Sequence, residues 1–427
     1  MGKQYPAYKP SGVEWIGKIP KHWGMNKLKY CDNIIMGQSP NSDDYNYIGI
    51  GIPFIQGNAE FKRLHPDPKL WCETANKIAI ANDILISVRA PIGAVNIAER
   101  KIGIGRGLCA IRAKQDNYKF LYYYFIILNE ELNSIGTGST YTAISAEEVK
   151  NVLLITPPIP EQTAIAAFLD EKTCQIDSLI EKKQRLIELL KEERTAIINQ
   201  AVTKGINPNI KLKPSGIEWL GNIPEHWQVK KLKHLADVTL GKMLTNDDKG
   251  GYHLKPYLRA ANLQWLNVDV SNVKEMWFST DELNKLRLKQ YDLLVSEGGE
   301  AGRTCIWNDD LDECYIQNSV HKITIVQPNE PKFFLYLFYS FGQRGFFDSI
   351  VNRISIAHLT GEKLKEILIV VPPAEEQQFI IQHIESHTIR IDTTISKIEK
   401  EIELMKEYRI ALISEVVTGK IKVSNFD

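Results

Sequence analysis

Three short motifs in this 427-residue chain have residue types and spacing that could support catalysis or metal binding, and each is incomplete. Residues 12–18 read GxxxxGK, like the start of a phosphate-binding loop, but Ile19 replaces the magnesium-binding Ser or Thr. Residues 102–107 (IGIGRG) lack the third glycine spacing of a dinucleotide fingerprint. His383 and His387 are four residues apart, but the residue directly after the first histidine is not glutamate and no third ligand is nearby, which favours a solvated helix face.

The rest of the sequence offers no alternative active site. The six cysteines are scattered without CxxC spacing, which favours free thiols in a reducing cytosol. The Asn/Asp-Pro-Pro-Tyr/Phe motif of adenine methylation is absent, since the Pro-Pro pairs follow Thr156 and Val371. The longest apolar run, residues 120–127, is shorter than the ~18–20 residues of a membrane span, and MGKQYP has no apolar leader segment. We therefore predict a cytoplasmic protein with no membrane segment, no bound metal and no catalytic site of its own.

Two unrelated blocks each occur twice, in the order A–variable–B–A–variable–B. The A block, residues 8–30, returns at 212–234 with 14 identities in 23 positions and an offset of 204. The B block, residues 157–206, returns at 372–421 with 21 identities in 50 positions and an offset of 215. Solenoid repeats are only about 20–50 residues long. The pattern therefore predicts two related half-molecules with pseudo-twofold symmetry.

The B blocks predict long helices that pair as a coiled coil. Each begins with Pro-Pro followed by Glu-Gln, and no Pro or Gly then interrupts it until its C-terminal end. Apolar residues step 4-3-4-3 along both copies, which is the spacing of a coiled-coil seam. The predicted seam contains Ile176, Ile180, Ile187, Leu190, Arg194 and Ile197 in the first copy, and Ile391, Ile395, Ile398, Ile402, Met405, Arg409 and Leu412 in the second.

An arginine at the same seam slot in both copies predicts a fixed register, because a polar seam residue penalises other pairings. The helices could be an ordinary buried pair or a rigid spacer between two domains. The narrow seam and the heavily charged flanks favour the spacer.

The variable regions predict mixed α/β domains that share a scaffold and differ in their loops. Short apolar runs predict strands, and an aromatic run after them predicts a helix in each copy. The strand segments are 83–88, 109–113, 292–296 and 321–326, and the helical segments are 120–126 and 333–339. Residues 134–158 align with 349–373 at the B-block offset, while the glycine-rich loops do not match. Two sites of different specificity on one frame would give this pattern.

The A block places four of the eight tryptophans beside proline and glycine: Trp15, Trp23, Trp219 and Trp227. Such aromatic residues could stack on nucleic-acid bases. An identical stacking surface in both halves would not explain the differing loops, so we interpret the A block as a packed segment that anchors each domain to its helix. The chain has 52 basic and 52 acidic residues. This balance is weak evidence for DNA binding and is compatible with a surface that binds protein partners.

The paired PSG(V/I)EW…IP…HW blocks and the paired PP…EQ…I…D…I helices resemble the specificity (S) subunit of type I restriction–modification systems over nearly the whole chain. The resemblance implies two mixed α/β target-recognition domains, separated by two long helices that form an antiparallel coiled coil. The corresponding segments are 1–156, the first recognition domain; 157–206, the first helix; 207–371, the second recognition domain; and 372–427, the second helix and C-terminal tail.

The resemblance also implies that each domain reads half of a bipartite double-stranded DNA target. Two methyltransferase (M) subunits that bind S-adenosylmethionine, and restriction (R) subunits that use ATP and Mg, would assemble with this non-catalytic chain, which holds none of these cofactors. The two helices would set the spacer between the half-sites and dock the M subunits. Two alternatives stay open: a stand-alone non-enzymatic regulator that binds two DNA half-sites, and an enzyme with an unrecognised degenerate site.

Base edges in the major groove are read by Arg, Lys, Asn, Gln and hydroxyl side chains, and these are exposed on loops at domain tips. The candidates in the first domain are Gln56, Asn58, Arg89, Arg106, Thr137, Ser139, Thr140 and Tyr141. Those in the second are Arg259, Asn262, Arg303, Asn318, Asn352, Arg353, Ser355 and His358. For each of them, a surface turn or a phosphate contact is an equally good explanation.

Overall fold

The computed structural model describes residues 4–135, 143–350 and 358–423. The chain divides into two compact units. Unit 1 comprises Met1–Lys183 with Glu399–Asp427, and unit 2 comprises Gln184–Ile398. Each unit therefore contains one variable region, the N-terminal part of one B-block helix and the C-terminal part of the other.

The described part of unit 1 combines short strands with four short helices. The strands are β1 (Tyr8–Pro10), β2 (Lys18–Pro20), β3 (Gly24–Lys27), β4 (Asn33–Met36), β5 (Tyr45–Asn46), β6 (Ile52–Ile55), β7 (Leu70–Cys72), β8 (Ile78–Ala79), β9 (Ile84–Ser87), β10 (Val95–Ile97), β11 (Ile102–Ile104), β12 (Leu108–Arg112) and β13 (Leu153–Thr156). The helices are α1 (Leu28–Cys31), α2 (Tyr118–Ile127), α3 (Asn129–Ile135) and α4 (Ala146–Asn151).

The B-block helices are α5 (Ile159–Lys204) and α10 (Ala374–Val417), and each of them is divided between the two units. The remaining elements of the described chain belong to unit 2. Its strands are β14 (Leu212–Pro214), β15 (Asn222–Pro224), β16 (Gln228–Lys231), β17 (Ala236–Leu240), β18 (His253–Leu258), β19 (Lys274–Phe278), β20 (Leu293–Ser296), β21 (Thr304–Ile306), β22 (Tyr315–Ile316), β23 (Val320–Ile325) and β24 (Leu368–Val371). Its shorter helices are α6 (Thr280–Leu286), α7 (Pro331–Gln343), α8 (Phe346–Ile350) and α9 (Gly361–Glu366).

In each unit two separate sheets pack against each other. In unit 1 the strand orders are β10-β9-β12-β4 and β5-β7-β6-β11-β8, and in unit 2 they are β17-β23-β20-β21 and β19-β18-β22. Strand β9 is buried on both faces, because Ile84 and Ile86 pack towards α2 while Leu85 packs towards the second sheet. Strand β20 repeats the arrangement with Leu293, Leu294 and Val295. The predicted strands and aromatic helices, and with them the mixed α/β fold, are confirmed.

The A blocks are confirmed as packed anchors. Trp23 and Trp227 are 0% exposed and belong to the cores of unit 1 and unit 2. Strand β13 pairs antiparallel with β3, and β24 pairs with β16, so each A block is also bonded to the strand that leads into a B-block helix. Burial of Trp23 and Trp227 excludes these two indoles as platforms for base stacking, while Trp15 and Trp219 are half-buried.

A carboxyl group is buried in the core of unit 1 with incomplete hydrogen bonding. Asp32 is 3% exposed, and its Oδ1 accepts a hydrogen bond from the backbone N–H of Lys114. Its Oδ2 is buried and, among the described residues, has no hydrogen-bond partner. Burial, with a contribution from the nearby Asp116, raises the pKa of Asp32 to about 6. Folding therefore carries an electrostatic cost whenever Asp32 is ionised.

Replacing Asp32→Asn is expected to raise the free energy of unfolding by about 1–3 kcal/mol at pH 7.5, because the amide keeps the acceptor for Lys114 and removes the buried charge. A pKa raised by folding means that the folded wild type binds its proton more tightly than the unfolded chain. The cost is therefore present above pH 6 and disappears as the pH falls towards 4. Urea denaturation at several pH values measures the difference. A constant difference from pH 7.5 to 4.5 would contradict the assignment.

Candidate nucleic-acid interface

Backbone hydrogen bonds bring five separate segments of unit 1 together at one edge. The N–H of Gly105 donates to Ile55 O at 2.8 Å, and that of Val88 donates to Gly107 O at 2.9 Å. The N–H of Ile144 in turn donates to Val88 O at 2.9 Å. We call residues 37–39, 56–58, 88–89, 105–107 and 143–144 the loop edge of unit 1. It collects the ends of β4, β6, β9 and β11 and the segment that precedes α4.

Glycine permits this close approach of the loops. A Cβ on Gly37 would lie 2.1 Å from Gly105 O, and one on Gly107 would lie 2.6 Å from Gln56 O. Both contacts are with backbone, which cannot move aside as a flexible side chain could. The glycines therefore bring the side chains between them, among them Gln56 and Arg106, onto one small surface.

The structure places most of the described candidates of unit 1 on this edge. Gln56, Arg89 and Arg106 are exposed, and Asn58 is half-buried at the start of a short 3-10 turn. Arg89 forms a β-bridge with Ala143, the first described residue after the glycine-rich loop. The other candidates of the first domain, Thr137, Ser139, Thr140 and Tyr141, lie outside the described residues.

Unit 2 forms an equivalent edge with the same backbone hydrogen bonds. The N–H of Gln317 donates to Leu258 O at 2.9 Å, and that of Glu297 donates to Ser319 O at 2.9 Å. The N–H of Leu359 donates to Glu297 O at 2.8 Å. We call residues 241–243, 259–260, 297–298, 317–319 and 358–359 the loop edge of unit 2. A Cβ on Gly241 would lie 2.3 Å from Gln317 O, which repeats the role of Gly37.

Three described candidates lie on the loop edge of unit 2. Arg259 and Asn318 are half-buried, and His358 is exposed with its Nδ1 4.0 Å from Glu297 Oε1. Asn352, Arg353 and Ser355 lie outside the described residues. The two edges therefore have the same backbone hydrogen bonds but different side chains. Arg259 after β18 occupies the position of Gln56 after β6, and Asn318 occupies that of Arg106.

The remaining two candidates, Asn262 and Arg303, face their own domain. Asn262 is 3% exposed, and its Nδ2 donates to Asp269 O at 2.9 Å while its Oδ1 accepts from the N–H of Arg259. Arg303 donates from Nη1 to Leu263 O at 3.0 Å and from Nε to Glu300 Oε2 at 2.9 Å. Both side chains thus stabilise the loops behind the edge, and we assign them a supporting role.

The helix seam forms along the predicted positions, all of which are buried or half-buried. In unit 1, Asp177 on α5 pairs with Arg409 on α10 at 3.0 Å, and Lys183 pairs with Glu401 at 2.5 Å. Residue numbers rise on α5 as they fall on α10, so the helices run antiparallel.

Unit 2 repeats the arginine pair with Arg194 and Asp392 at 3.1 Å. Asp177 and Asp392 are themselves equivalent by the offset of 215. Both contacts are ion pairs in which Nε is not aligned as a hydrogen-bond donor. Each seam arginine therefore has an aspartate partner on the facing helix. That this pair fixes the register stays a prediction.

A glutamate at the start of each B-block helix is bound by the neighbouring A block. Glu161 accepts from His22 Nε2 at 2.6 Å and from Trp23 Nε1 at 3.0 Å. In unit 2, Glu376 accepts from His226 at 2.6 Å and Trp227 at 3.1 Å. The sequence analysis assigned these glutamates only to the start of each helix. The His-Trp pair of the A block and the Glu-Gln pair of the B block both occur twice, and this joint repetition could have predicted the contact.

The glutamine that follows each glutamate attaches the variable region to the helix. Gln162 Oε1 accepts from the N–H of Asn117 at 2.7 Å, just before α2. Gln377 Oε1 accepts from the N–H of Glu330 at 2.9 Å, just before α7. Both glutamines are buried, so the repeated Glu-Gln pair fixes the A block and the variable domain to the same helix turn.

The described residues contain no group of three or more His, Cys, Asp or Glu side chains that could hold a metal ion. No helix in the described part of the chain has the length and apolar character needed to cross a membrane.

Comparison with known proteins matches these features to one family. Residues 20–191 and 224–404 each match the type I restriction modification DNA specificity domain, so the chain belongs to this family. It is 26% identical to the type I restriction enzyme MjaIX specificity subunit of Methanocaldococcus jannaschii, over 96% of this chain and 95% of that protein. It is 41% identical to the putative MjaX specificity subunit of the same organism over 194 residues, 44% of each chain. Identity to the EcoBI specificity subunit of Escherichia coli is 21% over 96% and 88% of the two chains.

Solved structures share the fold. A chain described in work on complex assembly and conformational transition of the type I R-M system has a TM-score of 0.67, with 16% identity over 93% of this chain and 98% of that chain. The HsdS subunit from Thermoanaerobacter tengcongensis has a TM-score of 0.53, with 16% identity over 94% and 98%.

Proposed function

We propose that this chain is the DNA-specificity subunit of a type I restriction–modification complex and that each unit reads one half of a bipartite double-stranded target. The observation that carries the proposal is the pair of loop edges, in which the same backbone hydrogen bonds support different side chains. A frame that repeats while its exposed polar residues change is suited to two readers of different specificity on one chain.

Within unit 1 we assign base reading to Gln56, Asn58, Arg89 and Arg106. An arginine can donate two hydrogen bonds to the O6 and N7 of guanine, and glutamine or asparagine can bind the N6 and N7 of adenine. Within unit 2 the corresponding residues are Arg259, Asn318 and His358. The candidates outside the described residues, which directly precede the 143–144 and 358–359 segments, remain part of this assignment.

The helices supply the rest of the proposed function. Helix α5 has 46 residues, or about 69 Å at 1.5 Å per residue, and with the antiparallel α10 it would set the number of unread base pairs between the half-sites. We further propose that the chain is not itself catalytic and binds two M subunits and the R subunits. S-adenosylmethionine would then be bound by M, and ATP with Mg by R, to supply adenine methylation and DNA cleavage.

Methylation-aware sequencing of DNA from cells that express this chain with its M subunit tests the proposal by identifying a bipartite methylated target. Arg106→Ala is expected to reduce methylation at one half-site by about 10–100-fold or to relax one base position, because a bidentate contact contributes about 1–3 kcal/mol of discrimination. Arg100→Ala is the matched control, since Arg100 is equally exposed but lies between β10 and β11, away from the loop edge. An unchanged target in the Arg106 variant would remove this residue from the reading surface.

A further inference from the structure

Unit 1 has an apolar pocket of about 320 Å³ beside the A block. Its apolar lining comes from the A block, from the junction of α4 with β13, and from the region of α2 and α3: Val13, Trp15, Ile16, Val152, Leu153, Leu128 and Leu132. The Trp15 indole is half-exposed, and the Leu153 side chain is 39% exposed. The pocket includes none of the loop-edge residues.

Unit 2 has an apolar pocket of about 340 Å³ at the equivalent place. Ile217 and Trp219 correspond to Val13 and Trp15 at the offset of 204, and Ile367 and Leu368 correspond to Val152 and Leu153 at the offset of 215. Leu368 is 38% exposed, almost the same as Leu153. The same exposed apolar surface therefore occurs once in each unit.

The rim of each pocket is also built in the same way. Lys29 of the A block donates to Asn151 Oδ1 at 3.1 Å at the end of α4. Its repeat counterpart Lys233 donates to Glu366 Oε1 at 2.6 Å at the end of α9. These contacts hold the A block against the helix that precedes the pocket strand, so both pockets have the same rigid support.

We infer that the two pockets are docking sites for two copies of one protein partner, the M subunit, each copy inserting apolar side chains. The inference rests on the proposed function and locates its methyltransferase contacts. DNA does not suit the pockets, because the half-sites differ while the pockets repeat and are apolar. A polar ligand does not suit them either, because the charged residues differ: Glu131, Glu147 and Glu148 line the first, and Lys363 and Glu366 line the second.

An apolar, tryptophan-containing centre inside a polar rim is the usual composition of a protein–protein hot spot. A partner present in two identical copies requires two equivalent surfaces on a chain with two related halves. The pockets meet this requirement with residues that lie outside both loop edges.

The test is to co-express the chain with its M subunit and to count bound M subunits by native mass spectrometry. Wild type is expected to bind two copies. Leu153→Glu and Leu368→Glu should each bind one, and the double variant none, since a buried carboxylate without a partner opposes docking. Both leucines are partly exposed, so the free chain should remain folded, which circular dichroism checks.

Two control pairs make the result specific. Leu64→Glu with Leu254→Glu makes the same change at leucines that are 38% and 45% exposed outside the pockets, and should retain both copies. Leu153→Met with Leu368→Met keeps an apolar contact and should also retain both. Two copies on the double glutamate variant, or equal loss in the outside controls, would overturn the docking sites. Failure of wild type to bind any M subunit would instead overturn the proposed function.

Discussion

Replacing residues 37–144 of unit 1 with residues 241–359 of unit 2 is expected to convert the target into an inverted repeat of the second half-site. The exchanged segments begin and end at equivalent points. Gly37 and Gly241 make matching backbone bonds to Leu108 and Val320, and Ile144 and Leu359 close the two loop edges in the same way. All the loop-edge residues of the transplanted reader would therefore move together.

The helix surface that receives the transplanted domain is already compatible with it. Lys119 on α2 pairs with Asp170 on α5, and Lys332 on α7 pairs with Glu385 on α10. The two carboxylates are equivalent, since their positions differ by the B-block offset of 215. The buried glutamines Gln162 and Gln377 likewise accept equivalent backbone N–H groups. A transplanted reader would thus find its carboxylate and its glutamine on α5.

The inverted arrangement is expected from the pseudo-twofold symmetry that the sequence repeat predicts, because two identical readers related by such symmetry call for a symmetric target. Methylation-aware sequencing of cells that express the chimera with the M subunit measures the result. The reciprocal chimera, with residues 37–144 in place of 241–359, should give an inverted repeat of the first half-site. Persistence of the original first half-site in the first chimera would show that specificity does not reside in the exchanged segment.

Lengthening both B-block helices by four residues is expected to widen the gap between the half-sites by one or two base pairs without changing either half-site. The insertions are placed after Lys183 on α5 and after Ile398 on α10, which are the borders of the two units in the sequence. Contacts between the variable domains and the helices lie on either side of these points: Asp177 pairs with Arg63, and Thr195 contacts Tyr339.

The geometry of helix and duplex determines the size of the change. Four residues add about 6 Å and about 40° beyond one full turn. One base pair adds about 3.4 Å and roughly 35°, since a duplex turn contains about 10–10.5 pairs. An added gap of one or two pairs therefore matches both the translation and the rotation. Four extra residues interrupt the heptad only locally, as a stutter does.

Sequencing of methylated DNA reads the gap directly. Gln184→Ala with Glu399→Ala changes exposed residues at the same border without changing the helix length, and should keep the original gap. An active insertion variant that also keeps the original gap would show that helix length does not set the spacing.

The features that could be predicted from the sequence are those that depend on local pattern or on internal repetition. The 4-3 spacing identified the seam of α5 and α10, because side-chain direction along a helix follows directly from residue number. Short β-branched and apolar runs identified β9, β12, β20 and β23, since these strands are buried on both faces. Internal repetition divided the chain into two related halves without reference to any other protein.

The sequence pattern was less informative about the site. Gln56, Arg89 and Arg106 were expected on exposed loops and do lie together at the loop edge of unit 1. Asn262 and Arg303 have the same chemistry, yet their side chains bond to their own domain. Residue type alone cannot distinguish these cases, because the difference depends on which distant backbone groups each side chain meets.

The sequence by itself determined the duplicated frame, the helices with their seam, and the position of the variable loops. Only the tertiary structure decided which loops meet, that Glu161 is bound by His22 and Trp23, that each seam arginine has an aspartate partner, and that each A block borders an apolar pocket. The physical reason is separation along the chain. Helix and strand periodicity act over a few residues, whereas burial and hydrogen-bond partners arise when segments that are distant in the sequence pack together.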